Sequence, residues 1–173
     1  MVHVSSWKCA VIVILAAHAA GMPFCAEAAE APFGLIWSQK RESLPQPSSA
    51  IADANIIELI YEGAALPSPA KDAQTIALKV CDGYGLQQVR WVSRRFSLAE
   101  ATKKFFIAYA EGVRRHGESD EGNVSNGTAG WSREGIGMLM ERADQEGYRV
   151  VMISDGPQFA RCKSEYQRIT GHE

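Results

Sequence analysis

The chain has 173 residues, with 18 basic and 20 acidic side chains and a formal net charge of −2 at pH 7. This balance lacks the basic excess by which nucleic-acid-binding proteins neutralise phosphates, and no polybasic segment favours an anionic membrane surface. We therefore expect no nucleic-acid partner, and no stable membrane insertion once the N-terminus has been processed.

Residues 1–28 have the pattern of a secretory signal peptide. Lys8 precedes a short apolar run, and this run falls below the roughly 20 residues needed to cross a bilayer. Ala26 and Ala28 form the A-x-A arrangement that signal peptidases recognise. Cleavage after Ala28 is predicted, with an uncleaved anchor or a lipidated Cys25 as alternatives. The protein is then exported, to the periplasm or the extracellular space.

Cleavage would leave two cysteines, Cys81 and Cys162, each of which follows an apolar run. Cysteines of exported proteins most often pair, so the sequence predicts a disulfide between them. Two separate buried thiols are the alternative. The chain has no C-x-x-C motif, and a thioredoxin-like redox centre is therefore not expected.

The first elements of the predicted domain are short. Ser38 is predicted to cap a helical turn that ends before Pro45. Residues 54–63 then alternate apolar and acidic side chains, which favours a strand, although a helix remains an alternative.

The next segment predicts a β-hairpin. Alternating apolar runs over 76–81 and 88–92 flank the dipeptide Asp82-Gly83. Glycine accepts the positive φ that a tight hairpin turn requires, so this order is typical of two antiparallel strands. Cys81 would then lie at the end of a strand, beside the turn.

A long helix is predicted over residues 97–116. Ser97 and Glu100 form the S-x-x-E pattern of a capping box, and apolar residues recur at helical spacing after them. Gly117 follows as the stop signal, and His116 falls in the last turn, where it favours the helix dipole.

Residues 118–130 predict a polar, glycine-rich loop. Its acidic and amide side chains suggest calcium, but their spacing does not fit the EF-hand pattern. The two histidines of the predicted domain, His116 and His172, lie at a helix end and next to the last residue. We therefore predict no metal site and no cofactor.

Residues 132–154 have two interpretations. They can form a helix followed by a strand, or a second hairpin in which two alternating runs surround a polar turn. Gly135 and Gly137 would each destabilise a helix interior by about 1 kcal/mol relative to alanine. The sequence therefore favours the hairpin.

Together these elements predict an α+β fold. It consists of an antiparallel sheet of about five strands, covered on one face by the long helix over 97–116. Residues 29–173 are predicted to form a single disulfide-linked domain.

Candidate binding residues come from two places. The disulfide would draw the turn after Cys81 towards the segment after the last strand, and a strand-to-helix corner exposes two arginines. The candidates are Tyr84, Arg94, Arg95, Asp155 and Gln158. No catalytic residue is assigned, because the chain has no G-x-S-x-G, phosphate-binding-loop or H-E-x-x-H motif.

These features favour a small exported binding or accessory protein without catalytic activity, whose partner is a small ligand or an envelope protein. One alternative is a small hydrolase using Asp82 and Asp155, which requires both carboxylates within about 10 Å of each other in a concave site. Another is a structural or inhibitory partner of a larger envelope protein, which requires an exposed apolar patch of several hundred Å².

Overall fold

The computed structural model describes residues 29–62, 72–145 and 147–171, and the predicted signal peptide lies outside them. A seven-stranded antiparallel sheet and two helices confirm the α+β class. The strands are β1 (Ser49–Asp53), β2 (Ile56–Glu62), β3 (Ala73–Cys81), β4 (Gly85–Ser93), β5 (Thr128–Trp131), β6 (Ile136–Arg142) and β7 (Tyr148–Asp155). The helices are α1 (Leu98–His116) and α2 (Phe159–Thr170).

The sheet joins two meanders. Its strand order is β1-β2-β3-β4-β7-β6-β5, and every neighbouring pair is antiparallel. Strands β1 to β4 follow one another across the sheet, and α1 then carries the chain to the far edge. Strands β5, β6 and β7 return towards the centre, where β7 pairs with β4.

Three local predictions are confirmed, including the hairpin favoured for residues 132–154. β3 and β4 form the hairpin around Asp82-Gly83, and β6 and β7 form the second hairpin. Helix α1 begins with the capping box of Ser97 and Glu100 and ends at Gly117. Each of these elements has its signal within a few neighbouring residues.

The prediction of about five strands was wrong, because both edge strands were missed. β1 is exposed along its whole length. β5 has only four residues, and three of them belong to the loop predicted over 118–130. A strand with a single neighbour on an exposed edge needs no alternating apolar pattern. These two segments therefore give little signal in the sequence.

The prediction of a single helix was also wrong. Helix α2 follows Asp155-Gly156-Pro157, where the sequence predicts only a turn. Cys162 is its only buried residue, so α2 has little apolar periodicity. The helix lies at the end of the sheet because the predicted disulfide, which is confirmed, joins Cys162 to Cys81 with the Cα atoms 6.0 Å apart.

Ser38 does not cap a helical turn as predicted. A short 3-10 turn, Arg41–Ser43, forms before Pro45, but it begins after Lys40 without a side-chain cap. Ser38 instead has a positive φ of 64°, and its backbone N–H donates to Leu86. The N-terminal segment is thereby bound to β4.

The apolar core lies on one face of the sheet, where two separate elements cover it: residues 31–44 and helix α1. Residues 31–44, here called the N-terminal segment, contribute Ala31, Leu35 and Leu44 to the cluster over β2, β3 and β4. Helix α1 packs with Phe105 on the cluster over β5, β6 and β7. The long helix therefore covers half of this face rather than the whole of it. Among the described residues, no helix is both long and apolar enough to cross a membrane.

Candidate binding groove

A groove of about 770 Å³ lies on the sheet between the N-terminal segment and α1. Its floor comes from β4, β6 and β7, one wall from the start of the described chain, and the other from α1 and the end of β5. Apolar and aromatic side chains make up the interior. They are Phe33, Trp37, Val89, Trp91, Trp131, Ile136, Met138 and Met152.

Strand register produces the floor. Trp91 pairs with Met152, and Met152 pairs with Met138, so the three side chains form a row across the middle of the sheet. Met152 is 37 % exposed although its strand lies near the centre of the sheet. Neither the N-terminal segment nor α1 covers it completely, and the groove thus leaves an apolar surface in contact with solvent.

Three tryptophans line this one groove, namely Trp37, Trp91 and Trp131. The sequence has four in total, and Trp7 lies outside the described residues. The indole N–H of Trp91 is buried and finds no hydrogen-bond partner among the described residues. A buried donor without a partner is costly.

Close packing holds the two outer tryptophans. Trp131 lies against Gly112 of α1, where an added Cβ atom would be 2.2 Å from the ring atom Cη2. Its Nε1 donates to the backbone oxygen of Gly117 at 2.8 Å. Trp37 lies against Gly156, at which a Cβ atom would be 2.8 Å from the ring. Glycine is therefore required at both contacts.

Charged side chains stand at the rim of the groove. Glu111 accepts hydrogen bonds from Arg114 and Arg115, and these bonds lower the pKa of Glu111 to about 2. Glu30 and Glu134 also line the groove, are exposed, and form no ion pair within the described ranges. The rim therefore has two carboxylates without a protein counter-ion.

The structure places Tyr84 and Gln158 in one hydrogen-bonded network, outside the groove. The hydroxyl of Tyr84 donates to Glu165 of α2 at 2.7 Å, and this bond raises the pKa of Tyr84. Buried Gln87 joins both candidates: its Nε2 donates to the backbone oxygen of Tyr84, and its Oε1 accepts from the backbone N–H of Gln158. These contacts attach α2 to β4.

Asp155 is the one predicted site residue that lines the groove. Burial raises the pKa of Asp155, and its carboxylate accepts a hydrogen bond from Gln88 at 2.7 Å. Asp82, by contrast, is exposed on the hairpin turn. A hydrolytic pair needs both carboxylates in one concave site, and the position of Asp82 argues against that arrangement.

Arg94 and Arg95 lie at the corner between β4 and α1, and both are bound there. Arg94 pairs with Asp72 at 3.2 Å and lies 4.4 Å from the ring centre of Phe96. Arg95 pairs with Asp144 at 2.7 Å. Both arginines thus have protein partners at this corner, which lies outside the groove.

This corner makes stability depend on pH. Hydrogen bonds from Lys104 and then Arg94 lower the pKa of Asp72 in the folded protein. The stabilisation is therefore present above the ordinary pKa of an aspartate, about 3.9, and is lost as the pH falls through the folded value. We expect Asp72→Asn to be less stable than wild type at pH 7, and the difference to shrink by pH 3. Urea unfolding at both pH values measures it, and an equal difference at both would contradict this account.

Other site chemistry is sparse within the described residues. They contain no group of three or more histidine, cysteine or acidic side chains that could hold a metal ion. Sequence reasoning missed the groove because its lining comes from distant segments of the chain. The available signal was the presence of three tryptophans, Trp37, Trp91 and Trp131, in the predicted domain. Their separation along the chain gives no indication that they line one groove.

Comparison with protein-family models, with curated proteins and with solved structures gave no match.

Proposed function

We propose that this protein is a small exported binding protein without catalytic activity, and that it holds its ligand in the groove between the N-terminal segment and α1. The observation that carries the proposal is the exposed Met152 at the centre of a sheet, inside a tryptophan-lined groove of about 770 Å³. Ligand sites are typically concave, mostly apolar and about 300–1,000 Å³ in volume.

We base the preference for binding over catalysis on three titratable groups of the groove, because Glu30 and Glu134 line it without an ion pair among the described residues. Glu111 is held by two arginines, and Asp155 is bound to Gln88. His116 lies 6.0 Å from the ring centre of Trp131, at the end of α1. A catalytic site needs a base within hydrogen-bonding reach of its nucleophile, and these contacts already have structural roles. The disulfide fits an oxidising compartment outside the cytoplasm.

A role as the partner of a larger protein has weaker support. The exposed large apolar side chains outside the groove lie on four different elements of the described chain. They are Ile36 on the N-terminal segment, Ile51 on β1, Leu98, Phe106 and Ile107 on α1, and Ile169 on α2. Their distribution over four elements argues against the large apolar patch that such a role requires.

Binding of a neutral aromatic probe tests the proposal. We expect 1-naphthalenemethanol to bind with one saturable site in isothermal titration calorimetry, because its rings fit the apolar floor. Ser154→Phe should weaken this binding at least tenfold, since Ser154 lines the groove beside Val89 and Ile136.

Ser49→Phe is the matched control, because it makes the same change on the exposed edge strand β1. It should bind the probe as wild type does. Circular dichroism confirms that both variants are folded. Absence of probe binding to wild type, or equal loss in both variants, would contradict the proposed function.

A further inference from the structure

The rim of the groove carries more negative than positive charge. Glu30 directly precedes the N-terminal segment and lines the groove, and Glu134 lies on the short turn between β5 and β6. Neither forms an ion pair within residues 29–62, 72–145 and 147–171. Of the basic groups at the rim, Arg114 and Arg115 are both bound to Glu111. A ligand entering here therefore meets two carboxylates that have no side-chain ion pair among the described residues.

We infer that the ligand of this groove is an amphipathic cation, in which an ammonium or similar group is attached to a flat apolar body. This inference rests on the proposed function and adds the chemical class of the ligand. The apolar body would cover Met152, and the cationic group would lie at the rim, within the field of Glu30 and Glu134.

The tryptophans favour the same charge. The face of an aromatic ring is negative, and tryptophan attracts cations more strongly than other side chains do. Trp37, Trp91 and Trp131 all line the groove. An anionic ligand would gain nothing from these ring faces and would be repelled at the rim. The acidic rim and the ring faces are independent features, and both select a cation.

Processing of the N-terminus distinguishes the two carboxylates. Cleavage after Ala28, which the sequence predicts, would create an α-ammonium on Ala29, the residue next to Glu30. The backbone oxygen of Ala29 accepts a hydrogen bond from Trp37, which holds this position at the groove wall. In the processed protein Glu134 is therefore the main partner of the ligand's cation.

Three probes that share a 1-naphthylmethyl group and carry a cationic, a neutral or an anionic head group test the inference. They are 1-naphthylmethylammonium, 1-naphthalenemethanol and the carboxylate 1-naphthaleneacetate, titrated calorimetrically into the protein at pH 7 and low salt. We expect the ammonium to bind roughly tenfold more tightly than the acetate, with the alcohol between them. Raising the salt concentration to about 1 M should remove most of this difference, because it reduces the screening length to about 3 Å.

Charge removal at the rim identifies the groups involved. Glu30→Gln with Glu134→Gln should weaken ammonium binding roughly fivefold and leave the alcohol unchanged. In the processed protein, Glu134→Gln alone should cause most of this loss. Glu58→Gln with Glu62→Gln is the matched control, because it removes two charges from the opposite face of the sheet. This control should leave all three affinities unchanged.

The outcomes separate the two proposals. If none of the three probes binds, the proposed function fails and the inference fails with it. If the alcohol binds but the ammonium binds no better than the acetate, the groove remains a binding site and the cationic class is wrong. An ammonium preference that survives Glu30→Gln with Glu134→Gln would also overturn the inference.

Discussion

Replacing Cys81 and Cys162 together by alanine is expected to cause a large loss of stability. The bond closes a loop of 81 residues, for which the chain-entropy account gives about 4.5 kcal/mol as an upper value. Both cysteines are also buried. We expect the midpoint of thermal unfolding to fall by roughly 10 °C, since 1 kcal/mol corresponds to about 2–4 °C for a domain of this size.

Differential scanning calorimetry of wild type and the double variant measures this fall. Wild type with a reductant provides the control, because it loses the same bond without a change in sequence. A variant midpoint within about 2 °C of wild type would show that α2 is held by its other contacts. Those contacts include the hydrogen bond from Asn55 to the backbone oxygen of Cys162 and that from Tyr84 to Glu165.

Gly112→Ala should be the second large effect, although alanine is the better helix former by about 1 kcal/mol. The new Cβ atom would lie 2.2 Å from Cη2 and 2.6 Å from Cζ2 of Trp131, so either α1 or the indole must move. Overpacking of this kind typically costs about 1–3 kcal/mol. Because the helix propensity of alanine offsets part of this cost, we expect a net loss in the free energy of unfolding of about 1 kcal/mol, measured by urea denaturation.

Two further variants make the test specific. Gly137→Ala is the matched control, because a Cβ atom at Gly137 would meet nothing within 4 Å, and its stability should change little. Trp131→Phe removes the ring atoms that collide, so Gly112→Ala should cost less in that background than in wild type. A harmless Gly112→Ala, or an equal cost in both backgrounds, would contradict the packing of α1 on Trp131.

Elements with local signals were predictable from the sequence, and elements without them were not. The β3–β4 hairpin has Asp82-Gly83 between alternating runs, and α1 has a cap at each end. Strand β1 is exposed throughout, and β5 pairs only with β6 among the strands. Helix α2 buries one residue. Their positions depend on the disulfide and on neighbouring strands rather than on their own side chains.

The candidate site was harder to predict than the fold, for a physical reason. Tyr84 and Gln158 both form hydrogen bonds with Gln87, and Asp155 accepts one from Gln88, so these residues act as structural partners. The groove arises because two covers meet the same face of the sheet without closing over Met152. No pattern in the sequence shows how far the N-terminal segment and α1 extend over the sheet.

The most direct test of the groove as the ligand site is a ¹⁵N NMR titration that follows the indole N–H signals of the tryptophans. We predict that 1-naphthalenemethanol shifts the signals of Trp37, Trp91 and Trp131 together, with one dissociation constant equal to the calorimetric value. The Ser154→Phe variant should show no such shifts. Saturable binding that leaves all three signals in place would put the ligand elsewhere on the molecule and contradict the account.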